Sequence, residues 1–239
     1  EFSKYSKLLA KFTTNYQLEV IDTHAANAST LADNTHVSRF SINDTSANIS
    51  NRLDALQGLS HFSKISKITV STPAIAVALT AGQFEADTNL LGKMFGNYSL
   101  AISDASAAAA VGYAGKTNIK SVAVLDTAAA ISSHLDGLVD LGLRLKEVRG
   151  SDSNLFTVSA SQMQTDGLVI GRLYKGYQLS VLGASMAQTA ALTTNKKVVT
   201  VAVEDTAANI TSSLAMLDKM GSSLTTVHVT DVDNALQLT

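Results

Sequence analysis

The sequence predicts an α/β fold: a β/α solenoid of strand–helix rungs of roughly 22–24 residues, grouped in super-repeats of about 80, with helices covering a parallel sheet. Three observations predict it. The chain repeats itself: DTSANISNRLDAL begins at Asp44, DTAAAISSHLDGL at Asp126 and DTAANITSSLAML at Asp205, at offsets of 82 and 79 residues. A near-constant offset marks duplicated structural units. Short runs of alternating apolar residues exchange with runs of helical period. The 239 residues are 46% hydrophobic but only 5% aromatic, with no Trp. An aliphatic core of that kind suits many similar thin layers.

The elements follow in order. LLAKF at Leu8 is matched by LLGKMF at Leu90, in each case upstream of a strand headed by tyrosine. Those strands are YQLEV at Tyr16, YSLAI at Tyr98 and YQLSV at Tyr177, with the same offsets as the Asp-Thr segments. Strand-like alternation occurs at Leu100–Ile102, Val122–Val124 and Leu145–Val148, and again at Leu179–Val181, Val201–Val203 and Leu224–Val229. Between them, Ile49, Leu53 and Leu56 form one apolar stripe of a helix. Ile131, Leu135 and Leu138 repeat it, as do Ile210, Leu214 and Leu217. AGQFEADTNLLGK aligns with ASQMQTDGLVIGR, setting Gln83 opposite Gln162 and Asp87 opposite Asp166; Leu168 and Leu173 give this second helix a mixed pattern. AVALTA from Ala76 and LFTVSA from Leu155 read as an extra strand in a hairpin with the strand before it. Strand–helix–strand links favour parallel strands joined by right-handed crossovers. The first copy is longer than the second, 21 residues from Asp44 to Ile65 against 19 from Asp126 to Leu145, which places a loop near SHFSK.

The expected organisation is one continuous array over residues 1–239, with super-repeats near 1–82, 83–161 and 162–239. It opens out of phase and stops at ALQLT without a polar cap, which reads as a piece of a longer array. A formal net charge of −2 and a pI of 6.2 argue against nucleic acid, whose phosphates need a concentrated basic surface. No apolar run approaches a membrane span, so no membrane insertion is expected. Without Cys there is neither a disulfide framework nor a thiolate metal site.

Asp44-Thr45, Asp126-Thr127 and Asp205-Thr206 are the most repeated polar feature. Each pair stands just before an apolar helical stripe, where a side-chain oxygen can accept the first free N–H groups; they read as helix caps. Asp22-Thr23 looks like the same device. Asp152, Asp231 and Asp233 lie in the turn-like GSDSN and TDVDN and are the candidates for a calcium ion, although the first copy has Thr72-Pro73 at that place. The five histidines share no repeat phase and show no paired metal-binding spacing. No nucleophile elbow or phosphate-binding glycine loop is present, and no catalytic residue or cofactor is assigned. Tyr16, Tyr98 and Tyr177 read as covers of layer edges, with a sugar-binding aromatic ladder as the alternative.

DTAANITSSLAMLDKMGSSLTTVHVTD from Asp205, with its relatives at Asp44 and Asp126, resembles repeats of large bacterial secreted or cell-surface proteins. Such proteins often carry RTX-type calcium repeats elsewhere and leave by type I secretion. The nonapeptide GGxGxD is absent here, so that form of calcium binding does not carry over. The resemblance implies an extracellular or surface location and a non-enzymatic structural or interaction module, adhesin-like or S-layer-like. Its partners would be other surface proteins or polysaccharide. The alternatives are a polysaccharide lyase, epimerase or hydrolase on a solenoid, and a carbohydrate- or calcium-binding module.

Overall fold

The computed structural model of the chain describes residues 2–231. It is an α/β protein with three four-stranded parallel sheets whose strands alternate with short helices. Two compact units divide it, one drawn from residues 1–104 with 116–121 and the other from 105–115 with 122–239.

The first unit contains α1 (Phe2–Leu9), β1 (Leu18–Thr23), α2 (Ala28–Asp33), β2 (Val37–Asp44), α3 (Ser46–Ser50), α4 (Leu53–Gln57) and β3 (Ile65–Val70). After these come β4 (Val77–Thr80), α5 (Ala81–Ala86), α6 (Thr88–Leu91), β5 (Met94–Phe95) and β6 (Leu100–Ala105). The second contains α7 (Ala107–Gly112), β7 (Ile119–Asp126), α8 (Ala128–Ser133), α9 (Leu135–Leu138), β8 (Leu145–Gly150) and β9 (Leu155–Ser159). It continues with α10 (Gln162–Thr165), α11 (Gly167–Ile170), β10 (Gln178–Ala184), α12 (Met186–Thr194), β11 (Val198–Asp205), α13 (Ala207–Thr211), α14 (Leu214–Met220) and β12 (Leu224–Val229). The division falls within β6 and β7.

β4 and β9 form no hairpin with the strand before them. In the first unit the sheet order is β1-β2-β3-β5, while β4, which precedes β5 in the chain, pairs in parallel with β6. In the second, β9 pairs in parallel with β10, while Leu173, further along the chain, bridges back to Val148 of β8. The chain thus begins a new sheet, returns to the old one for a short contact, and leaves again. A hairpin would need antiparallel pairing with the strand before; the connections 71–76 and 151–154 instead lead into another sheet.

The strands bury one face; the other mixes polar residues with exposed apolar ones such as Ile21, Phe95, Leu125 and Leu182. Val37, Phe40 and Ile42 of β2, Ile65 and Ile68 of β3, and Val122 and Val124 of β7 face the helices and are buried. Ser38 and Arg39, Ser66 and Lys67, and Lys120 lie outward. Alanines 28, 32, 107, 110, 128 and 207 are buried on the helices, where their short side chains let the backbone approach the sheet. Phe40 and Phe156 are the bulkiest fully buried side chains. Burying each aromatic or branched aliphatic side chain contributes about 1.5–3 kcal/mol.

The helices expected after the Asp-Thr pairs are each two short helices. Arg52 (φ −130°), His134 (φ −115°) and Ser213 (φ −121°) interrupt them. At each, the N–H bonds the carbonyl three residues back, from Ile49, Ile131 or Ile210, in a tighter 3-10 manner. The stripe residues still face inward: Ile49, Leu53, Leu56, Ile131, Leu135 and Leu138 are all buried. The mixed pattern after Gln162 has a similar origin. Asp166 separates α10 from α11, Leu168 is exposed, and Leu173 is a bridge residue rather than a helical one.

Candidate functional site

The repeated polar residues assemble into a ladder of hydrogen bonds at the N-terminal ends of the helices. Thr45 Oγ1 accepts from Asn48 N at 3.2 Å, Thr127 Oγ1 from Ala130 N at 3.2 Å, and Thr206 Oγ1 from Asn209 N at 3.4 Å. Each threonine stands at the N-cap with extended backbone, so its hydroxyl meets the third N–H of the helix that follows. The aspartates before them act differently. One carboxylate oxygen accepts from the adjacent threonine N–H, at 2.8 Å for Asp44, Asp126 and Asp205 alike. The other oxygen reaches the first residue of the preceding helical turn: Ala25 N at 2.8 Å, Ala107 N at 2.9 Å and Met186 N at 2.8 Å, each 19 residues back. A single carboxylate therefore ties two consecutive strand–helix segments.

The turn after the next strand supplies the corresponding acceptor for the Asp-Thr helix itself. Asp152 Oδ1 accepts from Ala128 N at 2.8 Å and Asp231 Oδ1 from Ala207 N at 2.6 Å. In the first copy Thr72 Oγ1 takes that place, accepting from Ser46 N at 2.9 Å. The turn residues that suggested calcium are thus engaged with helix N–H groups; Asp233 lies outside the described residues. Among the described residues no three His, Asp or Glu side chains gather as a metal centre.

Electrostatics follow the geometry. Burial would raise the Asp44 carboxyl, but hydrogen bonds from Asn48, Ala25, Thr45 and His24 outweigh it and hold it below the usual aspartate value. The Asn209 amide, aided by Met186 N and Thr206 N, lowers Asp205. At the opposite end of the helices the partner is a cation. Lys64 Nζ donates to Ala32 O at 2.7 Å and Asn34 O at 2.9 Å, and Arg144 donates to Ala114 O. A carboxylate at the N-terminus and a cation at the C-terminus both complement the helix dipole.

Asp22 is no cap. It holds a left-handed backbone (φ 57°), as does Asp104 (φ 55°), and Gly183 takes the same conformation (φ 65°). The register of β1 on β2 slips between Val20 and Thr23, and that of β10 on β11 between Val181 and Ala184. These are bulges, and Asp and Gly are the residue types that tolerate φ > 0.

The tyrosines are half-buried. Tyr16 stacks on His36 at 4.3 Å and Tyr177 lies under Lys197 at 4.6 Å, each against the start of the next strand. The other histidines have unrelated surroundings: His24 faces Asp44, His61 faces Asp33, His134 Nδ1 lies 2.8 Å from Ala130 O, and His228 faces Glu204. A groove of about 850 Å³ opens beside β1, lined by Leu8, Leu9, Phe12 and Ile21 with Asp22 and His24.

Sequence reasoning missed two features. The C-terminal cations had a signal, since a basic residue precedes β3 and β8 alike. The second is a pair of buried carboxyls. Asp87 and Asp166 are each only 4% exposed, and the Oδ2 of each has no hydrogen-bond partner among the described residues. Their alignment was visible, but their burial was not. Compared with known proteins, the chain matches no family model and no curated protein.

Proposed function

We propose that the chain is a non-enzymatic structural and interaction module, a β/α solenoid of strand–helix rungs of roughly 22–24 residues grouped in super-repeats of about 80. One observation carries this reading: the same carboxylate bridge recurs at Asp44, Asp126 and Asp205, each to a helix start 19 residues back. A catalytic site concentrates unusual groups at one place. Here the distinctive polar chemistry is distributed with the repeat and is directed at backbone N–H groups, where it joins one segment to the next. Extension follows from adding copies, and each copy presents an exposed strand face, polar residues interleaved with apolar ones such as Ile21, Leu125 and Leu182, for multivalent contact.

The module belongs, on this proposal, to a bacterial secreted or cell-surface protein of adhesin or S-layer-like type, and its partners are other surface proteins or polysaccharide. The repeat resemblance supports that placement. Deleting residues 126–204, one complete period, tests the modular reading. The shortened chain is expected to keep cooperative unfolding and the circular dichroism of an α/β protein. Loss of all folding sinks the modular picture, and turnover on a panel of polysaccharides sinks the non-enzymatic one.

A further inference from the structure

Two sheets end on strands whose counterparts elsewhere in the chain are covered. Among the described residues β1 is the outer strand of β1-β2-β3-β5, and β12 that of β12-β11-β10-β9. By the repeat offsets β1 corresponds to β6 and β10, and β12 to β3 and β8. β6 carries β4 in parallel, with Leu100 opposite Val77 and Ile102 opposite Leu79. β10 carries β9, with Leu179 opposite Phe156 and Val181 opposite Val158. β3 carries β5, with Ile68 opposite Met94, and Val148 of β8 bridges to Leu173.

Burial follows the cover. Leu18 and Val20 of β1 are half-buried, whereas Leu100, Ile102, Leu179 and Val181 are buried. Leu8 and Phe12 are each 54% exposed; Leu90 and Val169, at the place of Leu8, and Met94 and Leu173, at the place of Phe12, are buried. On β12, Val227 is 40% exposed where Ile68 and Val148 are at 0%. The groove beside β1 is lined by these same Leu8, Phe12, Leu18 and Val20 side chains. A strand of the kind that covers β6 and β10 also recurs in the sequence. Residues 235–239, ALQLT, lie outside the described residues. They alternate Leu236 and Leu238 as β4 does Val77 and Leu79 and β9 does Phe156 and Val158, and close on Thr239 where Thr80 and Ser159 stand.

We propose that the chain associates with itself head to tail: residues 235–239 of one copy add to β1 of a second as a parallel strand, and Val227 of the first meets Phe12 of the second. The register is that of the counterparts, Leu236 opposite Leu18 and Leu238 opposite Val20. Each contact repeats one that the chain already makes within a unit. Strand addition satisfies the outward N–H and C=O groups of an edge and takes its apolar side chains out of water. The bulge at Asp22 is no obstacle, since β10 has the same bulge at Gly183 and carries β9 all the same. Nor does Leu18–Thr23 contain the proline or lysine that blunts an edge. The two surfaces differ, so a dimer leaves one of each unused and growth continues past it. This proposal rests on the repeat equivalence of the modular reading; deletion of residues 126–204 tests that reading while leaving β1, β12 and residues 235–239 in place.

Sedimentation velocity of the whole chain tests the association. The weight-average mass should rise with concentration from the micromolar range upward and pass that of a dimer. Phe12→Lys and Val227→Lys each spoil one surface at a side chain that is exposed in the single chain. Both variants should keep wild-type circular dichroism and stay monomeric alone. Mixed in equal amounts they should form a dimer and nothing larger, because each supplies the surface the other lacks. Deleting residues 235–239 should shift the wild-type chain toward monomer, and amide exchange at Leu18–Ile21 should slow about tenfold on assembly. A wild-type chain that stays monomeric up to millimolar concentration overturns the proposal. So does either variant dimerising alone, which marks a symmetric contact, and so does association unchanged by the deletion.

Discussion

Asp205 shows how much one side chain carries. Its carboxylate accepts from Met186 N, Thr206 N and the Asn209 amide. Asp205→Ala removes all three and leaves the Met186 N–H at a helix start without its acceptor, for a loss of about 1–3 kcal/mol by urea unfolding. Asp205→Asn keeps the shape but not the charge and should lose less. The acid limb follows. Asp44 and Asp205 sit below the ordinary aspartate value, so their contribution is present above that value and is lost as pH falls through the lower folded value. Stability should therefore fall on acidification into the range below about pH 4, most steeply in wild type and less in Asp205→Asn. A fall of equal size in the two proteins counts against the assignment.

At the scale of the element, two glycines carry backbone demands of different kinds. Gly183 has φ 65° in a bulge where the other copies use Asp22 and Asp104. Gly183→Asn should cost little, whereas Gly183→Val should cost on the order of 1–2 kcal/mol more, because a β-branched residue resists the left-handed region. Gly150 ends β8 against the turn that follows, and a Cβ there would stand 1.9 Å from Ser153 O. Gly150→Ala must displace backbone, so it should lower the Tm and weaken amide protection of Leu155–Ser159 in hydrogen exchange. Unchanged protection would show that the turn yields freely. The broken helices belong to this scale too. Hydrophobic spacing identified which side chains face the sheet, since Ile131, Leu135 and Leu138 are all buried. It did not show the break at His134, because a 3-10 step leaves i, i+4 and i+7 on one side.

For the whole molecule, cohesion between segments is nearest-neighbour in character within each unit: β1 on β2, β2 on β3, and β10 on β9 and β11. Native-state hydrogen exchange should show graded protection, with the sheet β9-β10-β11-β12 most protected in its inner strands β10 and β11 and less in β12, whose burial is slight. A single uniform opening free energy across that sheet would contradict it. The β4 and β9 steps complicate a simple row of strands. Each starts a new sheet before the previous one is finished, so consecutive segments are interlaced as well as stacked.

The sequence by itself determined the α/β class, the repeat offsets, the parallel strands and the inward stripes, because these rest on local periodicity and on one segment resembling another. The capping role was also legible at Thr45, Thr127 and Thr206, since an N-cap serves its own helix a few residues on. What the tertiary structure decided was every pairing across a distance. The second oxygen of Asp44 seeks a helix 19 residues earlier, Asp152 and Asp231 serve helix starts 24 residues earlier, and β4 pairs forward with β6 rather than back in a hairpin. Burial of Asp87 and Asp166 belongs to the same class, for a carboxyl is silent in sequence until the fold removes its water.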